Sequence, residues 1–198
     1  MNFKPSIIMN KLLAAIAMAV CVSLTACAQK KAEGSAASHK VLVAYFSATG
    51  TTARAAETVA RTTGGDLLAI EPAEAYTTAD LDWNDDTSRS TREMKDASAR
   101  PALKPTDKDL TAYDVVFIGY PIWWGEAPRV VNTFVEAHDL KGKRLVPFAT
   151  SGGSGIGESV EALRKAYPGL QWEDGRLLNG AGESDVREWT ENLLSVSR

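Results

Sequence analysis

The sequence predicts an α/β fold in which an open, parallel β-sheet is covered by helices on both faces. Three observations carry the prediction. First, unbroken apolar runs at Val41–Phe46, Val115–Ile118 and Leu145–Ala149 have the pattern of strands buried on both sides. Second, apolar stripes at helical spacing lie between and after them: Val130, Val131, Phe134 and Val135, then Ile156, Val160, Leu163 and Tyr167, then Val186, Trp189, Leu193 and Val196. Third, strand and helix alternate throughout, which argues for parallel neighbours joined by crossovers and leaves the strand order open.

The 198 residues, 44% of them hydrophobic, are enough for one domain of ordinary size. Residues 1–26 read as a signal segment: Lys4 and Lys11 precede the apolar run Leu12–Leu24, which is shorter than the roughly 20 residues needed to span a bilayer. The run ends in Leu24-Thr25-Ala26-Cys27, which resembles a bacterial lipobox, and this implies lipidation of Cys27 after cleavage. Residues 27–39, small and polar, are expected to be a flexible tether, and the globular domain to span 40–198. That places the protein in the cell envelope, anchored by lipid to a bacterial membrane and facing the periplasmic side.

Within the domain, the first strand passes through a tight turn into an alanine-rich helix that stops near Thr63-Gly64-Gly65. Leu67–Ile70 forms a second strand closed by Pro72. Residues 73–109 are hard to read; their length predicts an internal helix, placed in the charged stretch Asp85–Asp96, and Tyr76 and Trp83 either cover a ligand or pack the segment down. Pro128 suits the start of the next helix, and Pro147 implies a missing ladder bond in its strand. Gln171–Leu178 is expected as the last strand before the terminal helix.

Three loops at carboxyl ends of strands have unusual composition. The first, Ser47-Ala48-Thr49-Gly50-Thr51-Thr52, gathers four hydroxyls around a glycine at a helix N-terminus, where free N–H groups and the helix dipole suit a phosphate. Neither a Walker loop nor a dinucleotide fingerprint is present. The second, Gly119–Glu126, places Pro121, Ile122, Trp123, Trp124 and Gly125 where a polar loop would be ordinary; adjacent indoles at a cleft suit stacking on a flat conjugated ligand. The third, Ala149–Gly157, contains Ser151, Gly152 and Gly153, whose backbone is free to approach a ring edge.

The first loop resembles the flavodoxin signature, in which Tyr-x-Ser/Thr ends a strand and Gly-x-Thr opens the first helix. Tyr45, Ser47, Gly50, Thr52, Ala56 and Val59 stand at the matching spacings, with Ala44 where the family usually has a larger apolar residue. The Pro-Ile-Trp-Trp and Thr-Ser-Gly-Gly-Ser-Gly runs resemble those of bacterial flavodoxin-like proteins, and the resemblance spans nearly all of Lys40–Arg198 except the middle of 73–109. It implies a flavodoxin-like three-layer α/β/α fold of the short variety, with a five-stranded parallel sheet of order 2-1-3-4-5. It implies FMN as cofactor, its phosphate on Ser47, Thr49, Gly50, Thr51 and Thr52 and its ring between the second and third loops. Glu126, set beside that ring in a negative domain, is expected to lower the flavin potential.

Composition limits the chemistry further. Cys21 falls in the signal segment and Cys27 would carry lipid, so the domain has no thiol for disulfide exchange, iron–sulfur ligation or nucleophilic attack. His39 and His138 show no metal-ligand spacing, and no metal is expected. The formal charge of −3 falls to −5 once Lys4 and Lys11 leave with residues 1–26, and no basic face for nucleic acid is present. The expected role is electron transfer to a redox partner protein or a quinone. An FMN-dependent NAD(P)H or quinone oxidoreductase, and a lipoprotein that uses the scaffold for binding without redox chemistry, are the alternatives.

Overall fold

The computed structural model describes residues 39–195; the expected signal segment, Cys27 and the expected tether up to Ser38, and Val196 of the terminal stripe, lie outside the described residues. The strands are β1 (Val41–Tyr45), β2 (Asp66–Ala69), β3 (Val115–Pro121), β4 (Arg144–Thr150), β5 (Gln171–Trp172) and β6 (Arg176–Leu177). The helices are α1 (Thr51–Thr63), α2 (Arg89–Lys95), α3 (Arg129–Ala137), α4 (Gly157–Ala166) and α5 (Glu183–Ser195). All strand pairs are parallel, in the order β2-β1-β3-β4-β5, and β6 also pairs with β4.

Alternate residues of the central strands feed two cores, as the two-residue period of a strand requires. Val41, Val43, Val115, Phe117, Val146 and Phe148 point to one face, where Ala56, Val59 and Ala60 of α1 and Val186 of α5 cover them. Trp189 of α5 meets Phe117 edge to face at 5.6 Å between ring centroids. Leu42, Ala44, Val116, Ile118, Tyr120 and Leu145 point the other way, onto Val130, Val131, Phe134 and Val135 of α3 and Leu163 of α4. Each fully buried Val, Leu, Ile or Phe among them contributes roughly 1.5–3 kcal/mol of transfer free energy. That accounts for the runs being apolar without interruption.

The expected last strand is corrected by the structure: it is broken into β5 and β6. The cause is Pro147. Glu173 N–H donates to the Leu145 carbonyl at 2.8 Å, and the parallel ladder would return a bond from residue 147, which has no N–H to give. The chain leaves the sheet there and rejoins it where Phe148 pairs with Arg176.

The segment 73–109 contains the expected helix, shorter than the charged stretch and not wholly exposed. Ser88 caps α2 by accepting the Thr91 N–H at 3.3 Å, and Ser90 and Thr91 are buried. An antiparallel bridge from Pro72 to Leu103 closes the segment at its base.

Candidate functional site

The sheet register brings the three loops to one edge. Tyr45 of β1 lies beside Gly119 of β3, and Pro121 of β3 beside Thr150 of β4, so β3 and β4 end level and β1 ends two residues short of them at the same edge. Phe46 N–H donates to the Gly119 carbonyl at 2.9 Å and Ile122 N–H to the Thr150 carbonyl at 2.8 Å. A buried bond of 2.8 Å joins the Thr52 and Thr150 hydroxyls. This edge is the crevice between β1 and β3 where the connections part, the usual ligand position in such sheets.

The hydroxyl-rich loop does not cap its own helix. Gly50 occupies the N-cap with φ of 86°, a backbone region that favours glycine, and no side chain bonds to the exposed N–H groups. Among the described residues the N–H groups of Thr49, Gly50, Thr51 and Thr52 meet no acceptor. The Ser47 Oγ is buried and has no hydrogen-bond partner among them. A buried hydroxyl left alone costs free energy, and four uncompensated N–H groups at a helix start attract an anion. Arg54, one turn along α1, brings its guanidinium to 3.8 Å from the position a Gly50 Cβ would take.

A continuous cleft opens over this loop in two lobes of about 740 and 540 Å³, which share Thr49, Pro121, Ile122, Trp123, Thr150, Ser151 and Gly152. The larger lobe adds Thr51, Arg54, Thr58 and Asn179; the smaller adds Thr52, Leu81, Trp83, Ser90, Trp124 and Gly153. Of the predicted residues, Ser47, Gly50 and Gly125 are adjacent in sequence to lining residues and line neither lobe themselves. Arg54, Thr58 and Asn179 were not predicted. Arg54 was findable, since it follows Gly50 at the spacing that stacks side chains on one helix face. Asn179 had no local signal.

The two indoles differ. Trp123 is part of the wall and of the core: its ring meets Phe46 at 5.6 Å and Tyr76 at 5.3 Å, both edge to face. Tyr76 is thus a packing residue. Trp124 is 50% exposed and Trp83 72% exposed, both on the smaller lobe. Trp123 and Glu126 exchange two backbone bonds of 3.0 and 2.9 Å, so Trp124 and Gly125 form a two-residue turn with φ of 47° and 81°. Both signs are those of a type I′ turn, which glycine tolerates and which costs a tryptophan roughly 1–2 kcal/mol.

Two expectations are corrected here. Glu126 lines neither lobe; its carboxylate pairs with the buried Arg129 at 2.7 Å, which compensates the charge that was to act on the ring. The third loop also spends part of its backbone on itself. Ser151 Oγ accepts the N–H groups of Gly153 and Ser154 at 3.1 and 2.8 Å, while Asn179 Oδ1 accepts Ser151 N–H at 2.8 Å and its amide donates back to the Ser151 carbonyl. Gly152 therefore keeps a free N–H at the cleft, and Gly153 does not. His138 is tied to its own helix, Nδ1 2.8 Å from the Phe134 carbonyl, and neither histidine lines the cleft.

Burial pushes the Tyr120 phenol, behind the second loop, up to about 12, so it stays protonated in its 3.0 Å bond to Ser159. The Tyr76 phenol is pushed well above its ordinary value by burial and by the carboxylate of Glu93.

Comparison with known proteins agrees with this geometry. A candidate flavoprotein from Bacteroides eggerthii DSM 20697 superposes with a TM-score of 0.77 at 58% identity, covering 80% of this chain and 99% of its own. A candidate flavoprotein from Bacteroides uniformis ATCC 8492 gives 0.75 at 53% identity over 77% of this chain and 98% of its own. A Lactobacillus acidophilus NCFM flavoprotein solved in complex with FMN shares the fold, with a TM-score of 0.63 at 21% identity over 77% and 99% of the two chains. No curated protein matches the sequence. The family model described as Flavodoxin matches residues 40–193, and with the 2-1-3-4-5 sheet and the loop geometry above, this chain belongs to the flavodoxin family.

Proposed function

We propose that this protein binds FMN in the two-lobed cleft and works as an electron-transfer protein. One observation carries the reading: the helix start at Gly50 leaves four N–H groups and the buried Ser47 hydroxyl without partners, at the mouth of a cleft walled by indoles. A phosphate monoester satisfies that donor set, and a flat conjugated ring satisfies the wall. The FMN bound by the Lactobacillus relative has both parts.

In this reading the N–H groups of Thr49–Thr52 and the hydroxyls of Ser47, Thr49 and Thr51 hold the phosphate, with Arg54 as countercharge. Trp123 and Trp124 face the ring, Pro121 and Ile122 fill the space beneath it, and Gly152 N–H serves its polar edge. The isoalloxazine supplies the redox chemistry. Among the residues lining the two lobes only Arg54 is titratable, so the wall offers no group to relay protons to a substrate. That favours a carrier over an oxidoreductase that uses general acid or base residues.

The resemblance of Leu24-Thr25-Ala26-Cys27 to a lipobox supports a lipid anchor at the outer face of a bacterial membrane, with a redox partner protein or a quinone of that membrane as electron partner. The purified chain is expected to be yellow, and added FMN to quench its tryptophan fluorescence through Trp123 and Trp124. A colourless protein whose fluorescence ignores FMN would contradict the proposal.

A further inference from the structure

The turn that carries Trp124 is held from behind by the segment 73–109, which also gives Leu81, Trp83 and Ser90 to the smaller lobe. Glu93 of α2 is the hub: its side chain is 13% exposed, one oxygen accepts the Arg89 Nε at 2.7 Å, and the other accepts the Tyr76 hydroxyl. Arg89 also lies over the Tyr76 ring, 4.1 Å from its centroid. Tyr76 is fixed by its face and its hydroxyl together, and it presents an aromatic contact to Trp123 at 5.3 Å and 83°.

A second strut starts from α3. Arg129, 8% exposed, donates to the carbonyls of Glu93 and Met94 at 3.4 and 3.0 Å and to the Glu126 carboxylate at 2.7 Å. Trp123 and Glu126 are the first and last residues of the turn, so both of its ends are tied to α2. Between them sit the two left-handed residues, a conformation that persists for a non-glycine only where its surroundings enforce it.

We infer that the segment 73–109 is a brace for the ring-side turn, in which Tyr76 and Arg129, both docked on α2, are positioning residues that hold Trp123 and the Trp124-Gly125 pair against a planar ligand. The inference rests on the FMN reading above. It assigns the brace chiefly to the ring end: neither Tyr76 nor Arg129 hydrogen-bonds to residues 47–52, and the contact of the Tyr76 ring nearest that loop is with Phe46, 5.6 Å between centroids.

The test measures FMN and riboflavin affinities by tryptophan quenching, inorganic phosphate affinity by competition, and the melting temperature of the ligand-free full chain. Tyr76→Leu should weaken FMN and riboflavin by the same factor, about tenfold, and leave phosphate affinity within about twofold. Tyr76→Phe, which keeps the aromatic ring against Trp123, should hold both flavins to within about threefold. Glu126→Gln alters a group whose side chain is 41% exposed and keeps an oxygen to accept from Arg129, and should weaken both by about fivefold, beyond the tolerance set for Tyr76→Phe, so the inference stays testable even if Tyr76→Leu does not fold. A lower melting temperature with unchanged flavin affinities would overturn it, making the segment packing only. A loss confined to FMN would overturn it as well, by moving the effect to the phosphate end. Wild-type protein that binds no flavin would instead overturn the reading beneath it.

Discussion

Trp124→Asn separates what the ring-side turn does for the fold from what it does for the ligand. Asparagine tolerates positive φ, and Asn-Gly is the preferred pair for a type I′ turn, so the substitution relieves roughly 1–2 kcal/mol of backbone cost. Against that stands the buried half of an indole. With Trp124 50% exposed, about 100 Å² leaves contact, worth at most about 2.5 kcal/mol. The indole joins neither core cluster, so the true loss is smaller. The two terms nearly cancel, and a net change of about 1 kcal/mol or less moves the melting temperature by about 2–4 °C at most. Stacking on a flat ligand is a separate quantity of about 1–3 kcal/mol, which predicts FMN affinity reduced by about 5- to 150-fold. Thermal melts of the ligand-free chain and fluorescence titrations with FMN measure both. A melting temperature lowered by about 8 °C or more with unchanged FMN affinity would refute the reasoning, because Trp124 would then serve the fold.

Three further outcomes are expected, two from the structure and one from the sequence. Ser47→Ala removes a buried hydroxyl that has no partner, so calorimetry should find the ligand-free protein no less stable, while FMN binding falls by about 10- to 100-fold and riboflavin binding is unmoved. Tyr113 donates to Asp66 at 2.5 Å, and burial, then Asp66, pushes its phenol from 10.0 up to about 12. A pKa raised by folding contributes stability that is complete below 10 and is lost as pH rises toward 12, so Tyr113→Phe should flatten that part of the pH–stability curve measured by denaturant titration. Cys27→Ser should move the protein from the membrane fraction to the soluble fraction of cells, as fractionation and blotting would show.

The parts of the fold that could be read in the sequence are those decided locally. β1, β3 and β4 are apolar because helices cover both faces, and their runs give them away. The helix after Gly50 and the loop before it are contiguous, so their hydroxyls and glycine mark the candidate anion site within six residues. Pro147 signalled a missing bond, yet the consequence fell on another strand, opposite it, and was not legible. Glu126 was misread for a related reason: its neighbour in chemistry is Arg129, three residues on, and the pairing shows only once α3 is in place. The segment 73–109 resisted reading because its meaning lies in partners far along the chain. Tyr76 finds Trp123, and Glu93 and Met94 find Arg129, across stretches that carry no periodic pattern. Asn179 clasps Ser151 from 28 residues away, and no local rule connects them.

The central claim is that the partnerless donors around Gly50 exist to hold a phosphate. Comparing the affinities of FMN and riboflavin for the same preparation tests it most directly, since the two ligands differ only at that end. Free N–H groups, a buried hydroxyl and Arg54 facing a dianion predict that FMN binds at least about 100-fold more tightly, with the advantage shrinking as salt is added. Equal affinities at every salt concentration would contradict the account.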